Sequence, residues 1–411
     1  MIPISGIQLW AFIALFTSFI ASTYGFGIYL FPSIAPVMID DIQFTYGEMG
    51  ITTGIAQAGF LCFALLSGIL TSKVGAFRII NASIVLCALS LFGLIWANNF
   101  ITVSFLLIVM GGCAASVWVP MVEVCQNYIS SNHQGRALGL MSSGTSYGVF
   151  INSILIAYLL DDFGWRSLWI STFLIVSFIC LCAIFIFRGM NKSHDRNTEH
   201  SDKGVTSNVS LISKLRTLPK STTTLIMLMM FLNGLSCIPF QTYLSSLLVD
   251  DNGLSVEQSA SAWRLIGFVG MFGGFLMGWI ADRITVRWTL LVVYILLGVS
   301  TAILLYTELT PKSVYASSAL FGLSFYAIFG LVPAYISHVY KNNTAALVFA
   351  FSNVALGLGG IVGNIAGGWL KQQIGTFDSV YTIILLAAIG SAFISIIMQR
   401  EKNDSNLEAS N

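Results

Sequence analysis

The chain has 411 residues, of which 56% are hydrophobic and 9% charged. Soluble domains carry about 25% charged residues, and water penalises large exposed apolar surfaces, so a soluble fold is excluded in favour of one dissolved in lipid. The net charge of +1 offers no basic field for nucleic acid.

Apolar runs long enough to span a bilayer recur in chain order. In the first half they cover 10–38, 48–70, 79–97, 101–123, 136–160 and 167–187. In the second they cover 222–249, 259–281, 288–307, 313–339, 345–370 and 380–398. The expected fold is therefore an all-α polytopic membrane protein of twelve transmembrane helices. No Lys or Arg precedes Lys73, so the first run reads as a retained helix, not a signal peptide. Lys and Arg concentrate on one side of these spans. With both termini cytoplasmic, the exceptions are Arg166, Arg264, Lys312 and Lys371, and the pairs Asp40–Asp41, Asp161–Asp162 and Asp250–Asp251 fall outside. The expected location is a cell membrane, the bacterial inner membrane.

Residues 188–221 are polar and basic, as in a cytoplasmic linker between six-helix bundles at 1–187 and 222–398, with a cytoplasmic tail at 399–411. An offset of 210 aligns Asp40–Asp41 with Asp250–Asp251, Thr45 and Glu48 with Ser255 and Gln258, Gly68 with Gly278, and Lys73 with Arg283. Thr45/Glu48 and Ser255/Gln258 are each spaced as a capping box. Further on, Gly148 and Asn152 match Gly360 and Asn364, and Pro120 matches Pro333. Two such repeats predict bundles related by a pseudo-twofold axis, with a site between them near the midplane.

The segment Gly278-Trp-Ile-Ala-Asp282-Arg283, followed by Arg287, resembles the loop signature of the major facilitator superfamily. The first-half copy runs from Gly68 through Lys73 to Arg78, with Ser72 where the family has Asp. The resemblance implies secondary transport by alternating access. It also implies a gating role for Asp282 and Arg283, and for Lys73, Arg78 and Arg287, whose charges serve topology equally well. Glu123, near the same membrane face, is a candidate gate partner, and His338 lies at a similar depth. The stretch Gly135-Arg136…Gly139…Gly144…Gly148…Gly164-Trp165-Arg166 is similar to the fifth-helix region of monocarboxylate and oxalate/formate carriers. The fourth helix lacks an embedded arginine and the fifth lacks a Gly-Pro pair, which lowers a drug/proton antiport reading.

An ionisable residue inside a membrane is a functional candidate by default. Arg264 is the deepest, and its planar fork suits a carboxylate; the monocarboxylate resemblance implies the same role. The alternative is a side chain snorkelling outward to Asp250 or Asp251. Polar and aromatic residues that could complete a cavity are Tyr24, Tyr29, Trp118, Tyr147, Asn152, Asn233, Gln241, Tyr243, Tyr326, Asn353 and Asn364. Asn152 and Asn364 serve helix packing equally well, because amides in lipid need partners. Gly144-x-x-x-Gly148 and Gly359-x-x-x-Gly363 allow close helix contact.

Gly357-Leu-Gly359-Gly360 fails as a nucleotide fingerprint, with Val362 in place of the third glycine. The seven cysteines show no metal spacing. No cofactor, metal or enzymatic activity is expected. The expected function is secondary transport of a small organic anion by a monomer in the bilayer, with protons as a candidate coupling ion. The rivals are an exporter of hydrophobic or cationic compounds, which calls for a deep acidic residue, and a membrane sensor, which calls for a soluble domain.

Overall fold

A computed structural model describes residues 6–194, 220–340 and 342–399. The expected linker falls largely outside these residues, as does nearly all of the expected tail. Every regular element described is helical, and twelve helices are long and apolar enough to cross a membrane. In chain order they are α1 Leu9–Ile42, α2 Tyr46–Val74, α3 Ala76–Ile95, α4 Phe100–Tyr128, α5 Arg136–Phe163 and α6 Arg166–Ile184. The second six are α7 Ser221–Asp251, α8 Val256–Ile284, α9 Val286–Tyr306, α10 Pro311–Val339, α11 Thr344–Ile374 and α12 Asp378–Ile397.

Local chemistry fixes the ends. Glu48 N–H donates to Thr45 Oγ1 at 3.2 Å, and Thr45 N–H donates back to Glu48 Oε2 at 2.7 Å. Ser255 and Gln258 repeat both bonds at 3.2 and 2.9 Å, so each capping box satisfies two free amides. The turns carry the repeat as well. Backbone φ is positive at Gln43 and Gly253, at Gly75 and Thr285, and at Gly164 and Gly375, three pairs offset by 210 or 211. The same turn is therefore made twice, with glycine at both positions only in the last pair.

Packing repeats too. In the first half, Gly25 of α1 lies against Gly148 of α5, and Gly144 lies against Ala21. In the second, Gly359 of α11 meets Phe231 and Leu235 of α7, and Gly360 meets Ile238. The chain thus forms two six-helix bundles with matching internal contacts.

The first helix departs from regular α geometry. Ala21–Tyr29 is a π-helical segment, and Leu247–Asp251 of α7 is a second. A π segment shifts the hydrogen-bond ladder and loosens its carbonyls. Two of these carbonyls find side-chain partners: Cys87 Sγ–H donates to Ser22 O at 3.7 Å, and Asn152 Nδ2–H donates to Gly25 O at 2.7 Å.

The ends of the molecule are named below by charge: the acidic end carries Asp40–Asp41 and Asp250–Asp251, and the basic end carries Lys73, Arg136 and Arg283. Among the described residues, the contacts that join the halves run from mid-depth to the acidic end. Gly54 of α2 packs on Ile365 of α11, and Leu61 packs on Gly357. Gly267 of α8 packs on Phe150 of α5, and Ser245 Oγ–H of α7 donates to Ser33 O of α1 at 3.0 Å.

Candidate functional site

Between the halves, at mid-depth, aromatic rings from four helices come together. Tyr29 of α1 lies 6.5 Å from Trp263 of α8 and 6.4 Å from Phe325 of α10, centroid to centroid. Tyr326 stands edge-on to Phe325 at 4.9 Å, and Tyr24 stands edge-on to Phe60 of α2 at 6.1 Å. Tyr29 is within electrostatic range of Tyr326, Tyr24 and Cys237, so these groups share one region. The Tyr24 and Tyr29 hydroxyls make no hydrogen bond to a described residue, and both side chains are partly exposed. Tyr326 lies beside Ser146 of α5, whose buried Oγ has no close hydrogen-bond partner among the described residues other than the Tyr326 hydroxyl. Polar groups in that condition are available to a ligand, because leaving them unpaired costs free energy.

α7 supplies one wall. Cys237 Sγ–H donates to Asn233 Oδ1 at 3.2 Å, and Gln241 Nε2–H donates to Cys237 O at 3.4 Å. A small knot closes the acidic side: Trp263 Nε1–H donates to Ser245 Oγ at 2.9 Å, and Ser259 Oγ–H donates to it at 3.1 Å. Ser245 Oγ–H in turn donates to the Ser33 carbonyl across the halves, so the acidic side of the centre is also a joint between them.

Nearer the acidic end is a second, tighter joint. Tyr46 of α2 donates its hydroxyl to Asp250 of α7. Its ring meets Phe377 edge-on at 5.2 Å. Lys371 pairs with Asp251, and the two side chains keep only 9% and 10% of their exposure. Lys371 also donates to Gly375 O at 2.7 Å, and Phe377 N–H donates to Asp251 Oδ2 at 2.6 Å. Buried charges persist only with this degree of pairing. The first half has a looser copy: Arg166 Nη1–H donates to Asp41 Oδ2 at 2.8 Å, joined by Trp165 Nε1–H at 3.0 Å.

A sequence profile described as Major Facilitator Superfamily matches residues 12–364 and again 275–410. The chain belongs to the major facilitator superfamily. A hexuronate transporter of Bacillus subtilis is 23% identical over 89% of this chain and 88% of its own length. The multi-drug resistance efflux pump PmrA of Streptococcus pneumoniae is 24% identical, covering 90% and 92%. Among solved structures, a bacterial homologue of the human lysosomal transporter Spinster, inward-facing and occupied, superposes with a TM-score of 0.71. That likeness, at 14% identity over 97% and 98% of the two chains, concerns the fold.

In this superfamily member the loop residues stand apart. Asp282 and Arg283 are exposed, and Arg283 stacks on Trp279 at 3.7 Å. Arg287 donates to Met398 O at 2.8 Å. Lys73, Arg78, Glu123 and His338 are exposed as well. Both ion pairs between described residues lie at the acidic end, and none between described residues crosses the basic end.

The other candidates divide by position. Tyr24, Tyr29 and Tyr326 converge with Asn233, Cys237 and Gln241 close by. Trp118 of α4 is half-buried. Tyr243 is fully buried and gives its hydroxyl to Asn364 O, near Gly50 of α2. Asn152 holds α1 to α5, and its Oδ1, like that of Asn364, has no partner. Asn353 donates to its own helix at Phe349 O, 2.9 Å away. Tyr147 is exposed on the side of α5 that carries exposed Tyr158.

Arg264 lies about 12 Å from the start of α8, at about 1.5 Å per residue. Its Nε is buried without a partner. Residues three apart differ by about 300° of helix turn, which puts Arg264 about 60° from Gly267, toward half-exposed Phe268. Gly267 and Phe268 both meet Phe150 of α5. Helix geometry thus puts Arg264 on the flank of α8 between Gly267 and Phe268, about 100° around the helix from Trp263, whose ring meets Tyr29. Asp250 and Asp251 are held by Tyr46 and Lys371 instead. Sequence reasoning missed Trp263, Ser245 and Tyr46, since apolar and hydroxyl residues in a span carry no signal of their own.

Proposed function

We propose that this chain is a secondary transporter that carries a small organic acid through the tyrosine centre by rocking its two halves. The observation that supports it is a set of partly exposed tyrosine hydroxyls between two halves whose contacts, among the described residues, run from mid-depth to the acidic end. Rocking about the centre would seal the basic end and release the joints at Tyr46–Asp250 and Ser245–Ser33. The concentration of Lys and Arg at the basic end supports placing that end, and both termini, in the cytoplasm of a bacterial inner membrane. Asp282, Arg283 and the neighbouring basic groups would then pair across the closed basic end.

The acid class is supported by the hexuronate transporter among the relatives. Arg264 takes no part in this reading, because helix geometry puts it on the flank of α8 between Gly267 and Phe268. Export of hydrophobic compounds is a second reading, supported by Phe60 and Phe325 in the lining and by the efflux pump among the relatives. Uptake by proteoliposomes decides, with labelled acids, sugars, amino acids and lipophilic cations, with and without a pH gradient. Accumulation of an acid, enhanced by a proton gradient, is expected. Movement of lipophilic cations alone would establish the rival, and no movement of any solute would end the transport reading. Arg264→Ala should leave acid affinity unchanged; loss of acid uptake with normal insertion would return Arg264 to the carboxylate.

A further inference from the structure

The centre offers a ligand hydroxyls, amides and aromatic faces, and no formal charge. Ionisable side chains among the described residues lie near helix ends, apart from Arg264. Glu123 is five residues from the end of α4, about 8 Å at about 1.5 Å per residue. Arg264 sits about 100° around α8 from Trp263, the residue whose ring meets Tyr29. A carboxylate entering this space would lose its water and gain no cation, and neutral hydrogen bonds return less than a charge loses. A neutral solute has no such deficit, and the free Tyr24 and Tyr29 hydroxyls can each donate to it and accept from it.

We propose that the centre binds its solute uncharged, either as a hydroxylated ring or as a protonated acid. This deepens the transport reading and rests on it. A solute carboxylate takes one proton from water on the entry side, crosses as the carboxylic acid, and returns that proton to water on the other side. Each acid molecule then carries one proton, and no side chain of the protein has to titrate. The scheme accounts for a transporter interior with no deep carboxylate or histidine among its described residues. Edge and face contacts from Tyr29, Trp263 and Phe325 favour a ring over an open chain.

The test uses the full chain in nanodiscs and two probes that share a ring, D-glucuronate and D-glucuronamide. Binding is read from tryptophan fluorescence, since Trp263 faces the site. Glucuronamide should bind with the same affinity from about pH 5.5 to about pH 7.5. Glucuronate should bind at least tenfold more weakly at the upper pH, and should tighten by close to tenfold for each unit of acidification, as required when only the protonated form binds. Tyr29→Phe should weaken glucuronamide about fivefold, the loss of one neutral hydrogen bond. Glucuronate binding that is pH-independent, or as tight as the amide at the upper pH, overturns the proposal. So does binding of neither probe, or an affinity indifferent to Tyr29→Phe. Failure of the transport reading looks different: spin-label distances across the two ends would then stay fixed under every condition.

Discussion

Replacing Gly50 with alanine should open the acidic end. A methyl group at Gly50 would sit 2.5 Å from Asn364 O, 2.9 Å from the Tyr243 hydroxyl and 3.0 Å from Gly368 Cα. Two of these neighbours are backbone atoms of α11 and cannot rotate away. Overpacking of this kind costs about 1–3 kcal/mol. The cost applies only while α2 and α11 touch, so it falls on the sealed state and not on one in which they part. At about 1.4 kcal/mol per tenfold change, the sealed population should fall about 5- to 150-fold relative to the alternative. Double electron–electron resonance between labels at Asp162 and Glu308, both exposed at the acidic end, reads the shift directly. Gly68→Ala on the same helix is the control, because nothing lies within 4 Å of its added methyl. Identical distance distributions for Gly50→Ala, Gly68→Ala and the unaltered protein would refute the view that the α2–α11 seam is the seal.

Lys371→Met strands the Asp251 carboxylate in a buried site and should cost about 3–5 kcal/mol of stability, read as a lowered melting temperature, with partial recovery in the double variant Lys371→Met/Asp251→Leu. Arg166→Met removes the half-exposed copy of that pair and should change stability by no more than about 1 kcal/mol in the same assay. Thr285 holds φ 117° and ψ 153°, a region suited to glycine, so Thr285→Gly should stabilise the protein by about 1 kcal/mol after glycine's own entropic cost; a lower melting temperature would contradict the strain. Asn152→Leu leaves Gly25 O without its partner and should cost about 1–3 kcal/mol, with the loss seen as weaker α1–α5 packing in hydrogen exchange at α1.

The sequence made the fold legible because lipid imposes a simple rule. Every span must satisfy its backbone internally, so helices of set length recur, and their polar breaks show plainly. The capping boxes at Thr45 and Ser255 were readable for the same reason: hydroxyl and carboxyl or amide stand at fixed spacing. The centre was readable in part. Tyr24, Tyr29 and Tyr326 stood out as polar rings in apolar spans, but Tyr147 and Tyr243 looked alike on that measure. Which way each points depends on helix rotation, and in α1 the π segment alters that rotation without leaving a sequence mark. Arg264 shows the limit most clearly. Its depth follows from counting residues, but its face depends on where α8 meets α5, which is set by the glycine at 267.

The two ends of the molecule also differ in a way that bears on how it works. At the acidic end the halves join through glycines on backbone, the Tyr46–Asp250 and Ser245–Ser33 hydrogen bonds, and the Tyr46 ring against Phe377 and Lys371. The ion pairs there, buried Lys371–Asp251 and half-exposed Arg166–Asp41, lie within a half and not between halves. Breaking a buried ion pair during each cycle would add several kcal/mol to the barrier, whereas parting single hydrogen bonds and packed glycines adds less. Ion pairs therefore lie within each bundle, and hydrogen bonds, ring contacts and close glycine packing join the two bundles. An interface of that composition can part and re-form in each cycle while each bundle keeps its own packing.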